Sequence, residues 1–165
     1  MSQYASPFVK DFMSRTNSVI QEYSGEYDAT ILLNCLLGMV VIPFEMHRDA
    51  FESECLERKI EDFLEEIKSK GRYSDHGKKN SAYFVVRHLR NAIAHGHIKP
   101  VHQDELVWGF LFTTFASNKM CDLTGEHCYY KNEISTNAPK VFTLELSIEE
   151  IKRISSIIDE FVANL

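Results

Sequence analysis

Residues 82–100, AYFVVRHLRNAIAHGHIKP, join a long helical pattern to two arginines, an asparagine and three histidines. At 100° per residue, Ala82, Val85, Val86, Leu89, Ala92, Ile93 and Gly96 share one side of a helix, which must face a core. The other side carries Tyr83, Phe84, Arg87, Arg90, Asn91, Ala94 and His95. Solvated faces normally carry Glu, Lys and Gln, so two aromatic rings, two guanidinium groups, an amide and an imidazole suit a surface that meets something. Ser81 is placed to cap the start and Pro100 to mark the end, which predicts a helix of roughly sixteen to eighteen residues.

Upstream, Ser6 and Pro7 form a helix start, and Phe8, Phe12, Val19, Ile20 and Tyr23 recur at helical spacing as far as Gly25. Asp28 can cap a second helix, ATILLNCLLGMVVI, which runs to Pro43 and is apolar nearly all round, so it is expected to be the central buried helix. Asn34 is its one strongly polar side chain and needs a hydrogen-bond partner if buried. In FESECLERKIEDFLEEIKSK, Leu56, Ile60, Phe63, Leu64 and Ile67 mark one face of an amphipathic helix ended by Gly71. Glu54, Glu57, Glu61 and Glu65 form a second stripe, expected to be solvated or to face the basic helix. The segment GRYSDHGKKN reads as a polar loop.

Beyond Pro100 the period changes from helical to alternating. LVWGFLFTTF is rich in aromatic and β-branched residues, and KVFTLELS alternates Val141, Thr143, Glu145 against Phe142, Leu144, Leu146, so a two-stranded hairpin is predicted. Between the strands lie Cys121, His127 and Cys128, which invite a zinc reading; a structural site needs four ligands and no fourth is apparent, so no metal is assigned. A zinc-dependent enzyme remains a third possibility, which stoichiometric zinc in purified protein would support. The box Ser147-x-x-Glu150 announces a last helix carrying Ile148, Ile151, Ile154, Ile158, Phe161 and Leu165 towards the core. The fold class expected is mainly α, about five helices with a small two-stranded hairpin before the last, in one domain over residues 1–165.

A chain of 165 residues that is 44% apolar supports a real core. No run of eighteen apolar residues and no basic-then-apolar leader is present, so neither a membrane span nor secretion is expected. Four cysteines without a C-x2-C framework point to reduced thiols and a cytoplasmic protein. The net charge of −6 argues against a nucleic-acid partner until its distribution is examined. Residues 68–102 hold eight Lys or Arg against one Asp, a balance of +7 that leaves −13 for the rest, and they hold five of the seven histidines. Such a strip can hold phosphates, unless acidic helices mix with it in space.

The segment LRNAIAHG, with Arg90, Asn91 and His95, resembles the Arg-x4-His signature of the HEPN superfamily of helical ribonucleases, most of all the HEPN group found on bacterial plasmids and mobile elements. Only the motif helix is specific; the apolar and acidic helices before it extend the likeness over most of the chain. The resemblance implies a helical bundle and a homodimeric, metal-independent endoribonuclease without cofactor. It also implies a toxin or anti-phage effector that cuts transfer or messenger RNA under restraint by an antitoxin. Some members carry a Tyr two residues after the motif His, where a partner can adenylylate it; here that residue is His97, which puts this control in doubt.

The residue types fit that chemistry. RNA carries its own nucleophile, the 2′-hydroxyl, so cleavage needs a base, a cation at the phosphate and a proton for the leaving 5′-oxygen. Imidazole titrates near neutral pH, and guanidinium stays charged and matches phosphate oxygens as a fork. His95 is therefore the candidate acid or base, Arg90 the phosphate stabiliser and Asn91 the residue that orients them. Arg87, His88, His97 and Lys99 are candidate RNA contacts, Tyr83 and Phe84 a candidate dimer interface, and His88 points sideways, where a plain surface histidine is an equal reading. Arg90 and His95 sit about 140° apart around the helix, which favours a composite site between two protomers. The competing class is a catalytically silent HEPN-like module that binds RNA or nucleotide, or pairs with another protein.

Overall fold

The computed structural model describes residues 5–23, 29–52, 54–75, 82–115 and 140–165. Among these residues the elements in chain order are α1 (Ala5–Glu22), α2 (Ala29–Met46), α3 (Glu54–Ser69), β1 (Tyr73–Asp75), α4 (Ala82–Ala94), β2 (Ile98–Gln103), β3 (Leu106–Phe115), β4 (Lys140–Ser147) and α5 (Ile148–Ala163). A 3-10 turn at Arg48–Glu52 lies between α2 and α3. No helix among the described residues is long and apolar enough to cross a membrane.

The helical count meets the expectation, but the expected hairpin is a four-stranded antiparallel sheet in the order β1-β4-β3-β2. Two segments account for the difference. Tyr73, Ser74 and Asp75, read as loop, pair with Leu144, Thr143 and Phe142 as an edge strand. Residues 98–100, read as the tail of the motif helix, open the other edge strand, where Pro100 opposes Phe110. Proline is tolerated there because an edge strand leaves one side of its ladder unpaired.

Alternation along the strands sends Phe110, Phe112, Phe142, Leu144 and Leu146 inward, all of them buried. They join Leu56, Ile60, Phe63, Leu64 and Ile67 of α3, the predicted face of α4, and Ile151, Ile154 and Ile158 of α5 in one core. Gly109 sits where β3 meets the start of α5, and a Cβ there would strike the backbone of Leu146. The capping box of α5 forms as read: Ser147 Oγ accepts from the Glu150 amide, and the Glu150 carboxylate accepts from the Ser147 amide. Leu165, expected inside, is exposed.

The first two helices differ from their expected packing. Val9 and Met13 of α1 enter the core with Ile20, whereas Phe8 and Val19 are exposed. In α2 the inner side is Leu32, Leu36, Met39, Val40 and Phe44, while Ile31, Asn34 and Leu37 face outward. The helix is thus covered on one side only, and Asn34 is solvated. Pro43 lies inside the last turn, which continues to Met46.

At Gly38 the Phe12 ring crosses α2, and an added Cβ would lie 2.8 Å from Phe12 Cζ. That atom ends a half-buried side chain able to swing outward, and alanine gains about 1 kcal/mol of helix propensity over glycine. The two effects oppose each other, so Gly38→Ala is expected to melt within roughly 4 °C of wild type by circular dichroism, a shift equivalent to about 1 kcal/mol.

Candidate functional site

Helix α4 stops earlier than Pro100 because Gly96 takes a positive φ of 66°. The His97 amide donates to the Ala92 carbonyl at 2.8 Å and the Gly96 amide to the Ile93 carbonyl at 3.1 Å, a Schellman closure with glycine just past the end. Gly96, placed by periodicity on the core side, is therefore exposed at the turn. Gly71, at φ 69°, closes α3 into β1 by the same pattern, as its position predicted. The chain then reverses, and the Thr113 amide donates to the His97 carbonyl at 3.0 Å, fastening the start of β2 to β3. His95 consequently occupies the end of the helix, with its ring 6.0 Å from that of His97.

Arg90 lies one turn back on the helix and is engaged. Its Nη2 is 2.7 Å from Glu45 Oε1 of α2, and its Nη1 donates to Asn91 Oδ1 at 2.9 Å. Its Nε is buried without a hydrogen-bond partner among the described residues. Each terminal nitrogen keeps a second N–H, so a phosphate oxygen can still be met by the fork. Sequence reasoning missed Glu45 because the helix was ended at Pro43; the PFEM run that follows was the signal.

Both histidines titrate below the ordinary imidazole value. Partial desolvation of each ring disfavours the imidazolium first, and then the Arg90 charge adds for His95 and His95 adds for His97. Near pH 7 the site therefore holds neutral imidazole beside guanidinium. This is the pairing that a base and a phosphate-stabilising cation require.

The remaining sequence candidates are distributed as follows. Tyr83 and Phe84, expected to be exposed, are half-buried in their own protomer: Tyr83 packs on Phe44 at 5.5 Å and Phe84 on His88 at 4.3 Å. His88, expected at the surface, is buried, stacks on Phe142 at 5.1 Å and shares a 2.7 Å hydrogen bond between its Nδ1 and Thr114 Oγ1. The reason is that β3 and β4 cover the side of α4 that a lone helix would expose. Arg87 is half-buried and Lys99 exposed, and neither forms an ion pair with another described residue.

Much of the basic strip mixes with acids instead of forming one cationic surface. Arg72 pairs with Glu150, Lys70 with Glu66 and Glu150, and Lys68 with Glu65. The acidic stripe of α3 does not face α4; Glu54, Glu61 and Glu65 are exposed. Cys121, His127 and Cys128 lie outside the described residues. Among those described, no group of three His, Cys, Asp or Glu side chains is placed to hold a metal ion.

A family model described as HEPN pEK499 p136 matches residues 1–161. No curated protein and no solved structure matches the chain. A match of that extent runs from α1 into the last turn of α5, and the chain belongs to the HEPN pEK499 p136 family.

Proposed function

We propose that this protein is a metal-independent endoribonuclease of the HEPN type, a toxin or anti-phage effector that cleaves transfer or messenger RNA at a site shared by two protomers. The observation that carries this reading is the Arg90, Asn91 and His95 set at the end of α4, where neutral imidazole stands beside a guanidinium. His95 takes the 2′-hydroxyl proton, and the resulting alkoxide attacks the adjacent phosphorus. Arg90 balances the charge gathering on the phosphate oxygens, Asn91 holds the guanidinium, and the imidazolium, or its counterpart on the second protomer, protonates the leaving 5′-oxygen. Metal is not required because the nucleophile belongs to the substrate.

The row Leu37, Val41 and Glu45 on α2 supports the two-protomer form. Leu37 is exposed, Val41 half-buried one turn on, and Glu45 reaches Arg90 another turn on, so an apolar edge lies beside the motif. That edge joins the half-buried Tyr83 and Phe84 as the surface on which a second copy fits. One observation favours the second reading, a silent module that binds RNA or a partner protein: Glu45 already occupies part of the Arg90 fork.

Incubation of total cellular RNA with purified protein in excess EDTA separates the two. Discrete fragments establish the nuclease, and binding without fragments establishes the module. Sedimentation as a monomer at micromolar concentration would overturn the shared site.

The His95 titration provides a test independent of turnover. Followed by NMR, its midpoint is expected below 6.5, and Arg90→Gln is expected to move it upward, because a neighbouring cation disfavours a second positive charge. A midpoint unaffected by Arg90→Gln would mean that the two side chains do not share a site. If the base form limits the rate, cleavage is flat through neutral pH and falls only in acid, below 6.5.

A further inference from the structure

We propose that the depression of about 240 Å³ next to the motif is a nucleobase subsite, which seats a base flanking the phosphate held at Arg90 and His95. This rests on the reading of α4 as an RNA site. The depression is lined by His97, Ile98, Lys99, Leu111, Thr113 and Phe115, so both edges of the β2–β3 ladder contribute. Lys99 pairs in register with Leu111, and strand alternation places Leu111 and Thr113 on the side of the sheet opposite Phe110, Phe112 and the core. A register shift between Thr114 and Phe115 interrupts that alternation, and the Phe115 ring lies edge-to-face with His97 at 5.3 Å. Bulges of this kind re-aim a side chain beside a site.

The chemistry selects a base over other occupants. Two flat rings, one of them half-buried Phe115, stand beside the aliphatic Ile98 and Leu111, while the Lys99 ammonium is exposed at the rim. Bases of any identity stack on aromatic faces, and a cation at the rim suits the backbone phosphate that accompanies them. The depression shares His97 with the His95 pair at 6.0 Å, so the base position adjoins the motif. A purely apolar partner side chain would make no use of the lysine.

The test uses His95→Ala protein as a host and fluorescence anisotropy as the readout. The probes are labelled single-stranded oligoribonucleotides of each base and an abasic strand of the same length and charge. Base-bearing strands are expected to bind about tenfold tighter than the abasic one, the fold-change that one stacked base typically gives. Phe115→Leu is expected to abolish that ratio and Phe115→Tyr to keep it. Equal affinity for base-bearing and abasic strands overturns the subsite, as does an unchanged ratio in folded Phe115→Leu protein. The abasic comparison needs no substitution at Phe115, so the proposal is decided even if that variant does not fold. Absence of cleavage by wild-type protein would overturn the nuclease reading while leaving this binding ratio intact.

Discussion

His95→Ala protein is expected to cleave RNA about 10²- to 10⁴-fold more slowly than wild type, the range that a positioned general acid or base contributes. The loss should appear at saturating RNA as well, because in the proposed mechanism the imidazole acts as the 2′-hydroxyl gives up its proton and contributes little to holding the strand. Stability should change little. His95 is an exposed residue at the end of α4, and the turn behind it is closed by the backbone of Ala92, Ile93, Gly96 and His97. A melting temperature within a few degrees of wild type, together with lost cleavage, separates catalysis from folding. Arg90→Lys is expected to retain the charge but lose the planar fork, and so to fall between wild type and His95→Ala. Full activity in His95→Ala would remove the imidazole from the mechanism.

The largest stability loss is expected far from that site, for Glu150→Ala. Glu150 is buried, and its carboxylate receives Arg72 Nη1 at 2.6 Å and Nη2 at 2.5 Å, with Lys70 Nζ at 3.2 Å. Arg72 in turn lies 5.1 Å from the centre of the Trp108 ring. Removing the acid strips a largely buried guanidinium of its carboxylate partner, leaving it the Glu145 carbonyl at 3.3 Å, and opens the cap of α5, a combined cost of about 3–5 kcal/mol. At this chain length that is a fall of roughly 10 °C or more, readable by thermal circular dichroism. Replacing both members by apolar residues, Arg72→Met with Glu150→Leu, should restore much of the loss, since neither charge is then buried. A double variant no more stable than Glu150→Ala would show that the cap, and not the orphaned cation, dominates.

The same carboxylate makes stability acid-sensitive. Burial alone would raise its pKa, but the Arg72 fork, the Ser147 amide and Lys70 outweigh that and bring it to about 2. The folded state therefore holds this group ionised where the unfolded chain protonates it. The stabilisation, about 3 kcal/mol, is fully present above 4.5 and is lost as pH falls from there towards 2.

Burial read from local period held along the middle of α3, α4 and α5 and failed at Phe8, Val19, Gly96 and Leu165, which share the helical spacing yet are exposed. The inner face of α3, the core side of α4 from Ala82 to Ile93, the Ser147 and Glu150 box and the Gly71 stop all rest on contacts within one or two turns. Edge strands carry no such signal. Tyr73, Ser74 and Asp75 are three residues without alternation to read, and Pro100 means helix end or edge strand according to what lies beside it. α2 was apolar on nearly every side, so no periodicity could say which side would be left uncovered.

The site divides along the same line. Arg90, Asn91 and His95 are legible as candidates through the resemblance of LRNAIAHG to the HEPN motif and through their side-chain chemistry, and the match over residues 1–161 bears out the family. Three features belong to tertiary structure alone: the Glu45 carboxylate on the Arg90 fork, the burial of His88 against Phe142 and Thr114, and the approach of Phe115 to His97. Each joins residues eighteen or more positions apart, so each depends on how helices and strands pack, a choice made by the whole core and written in no single stretch.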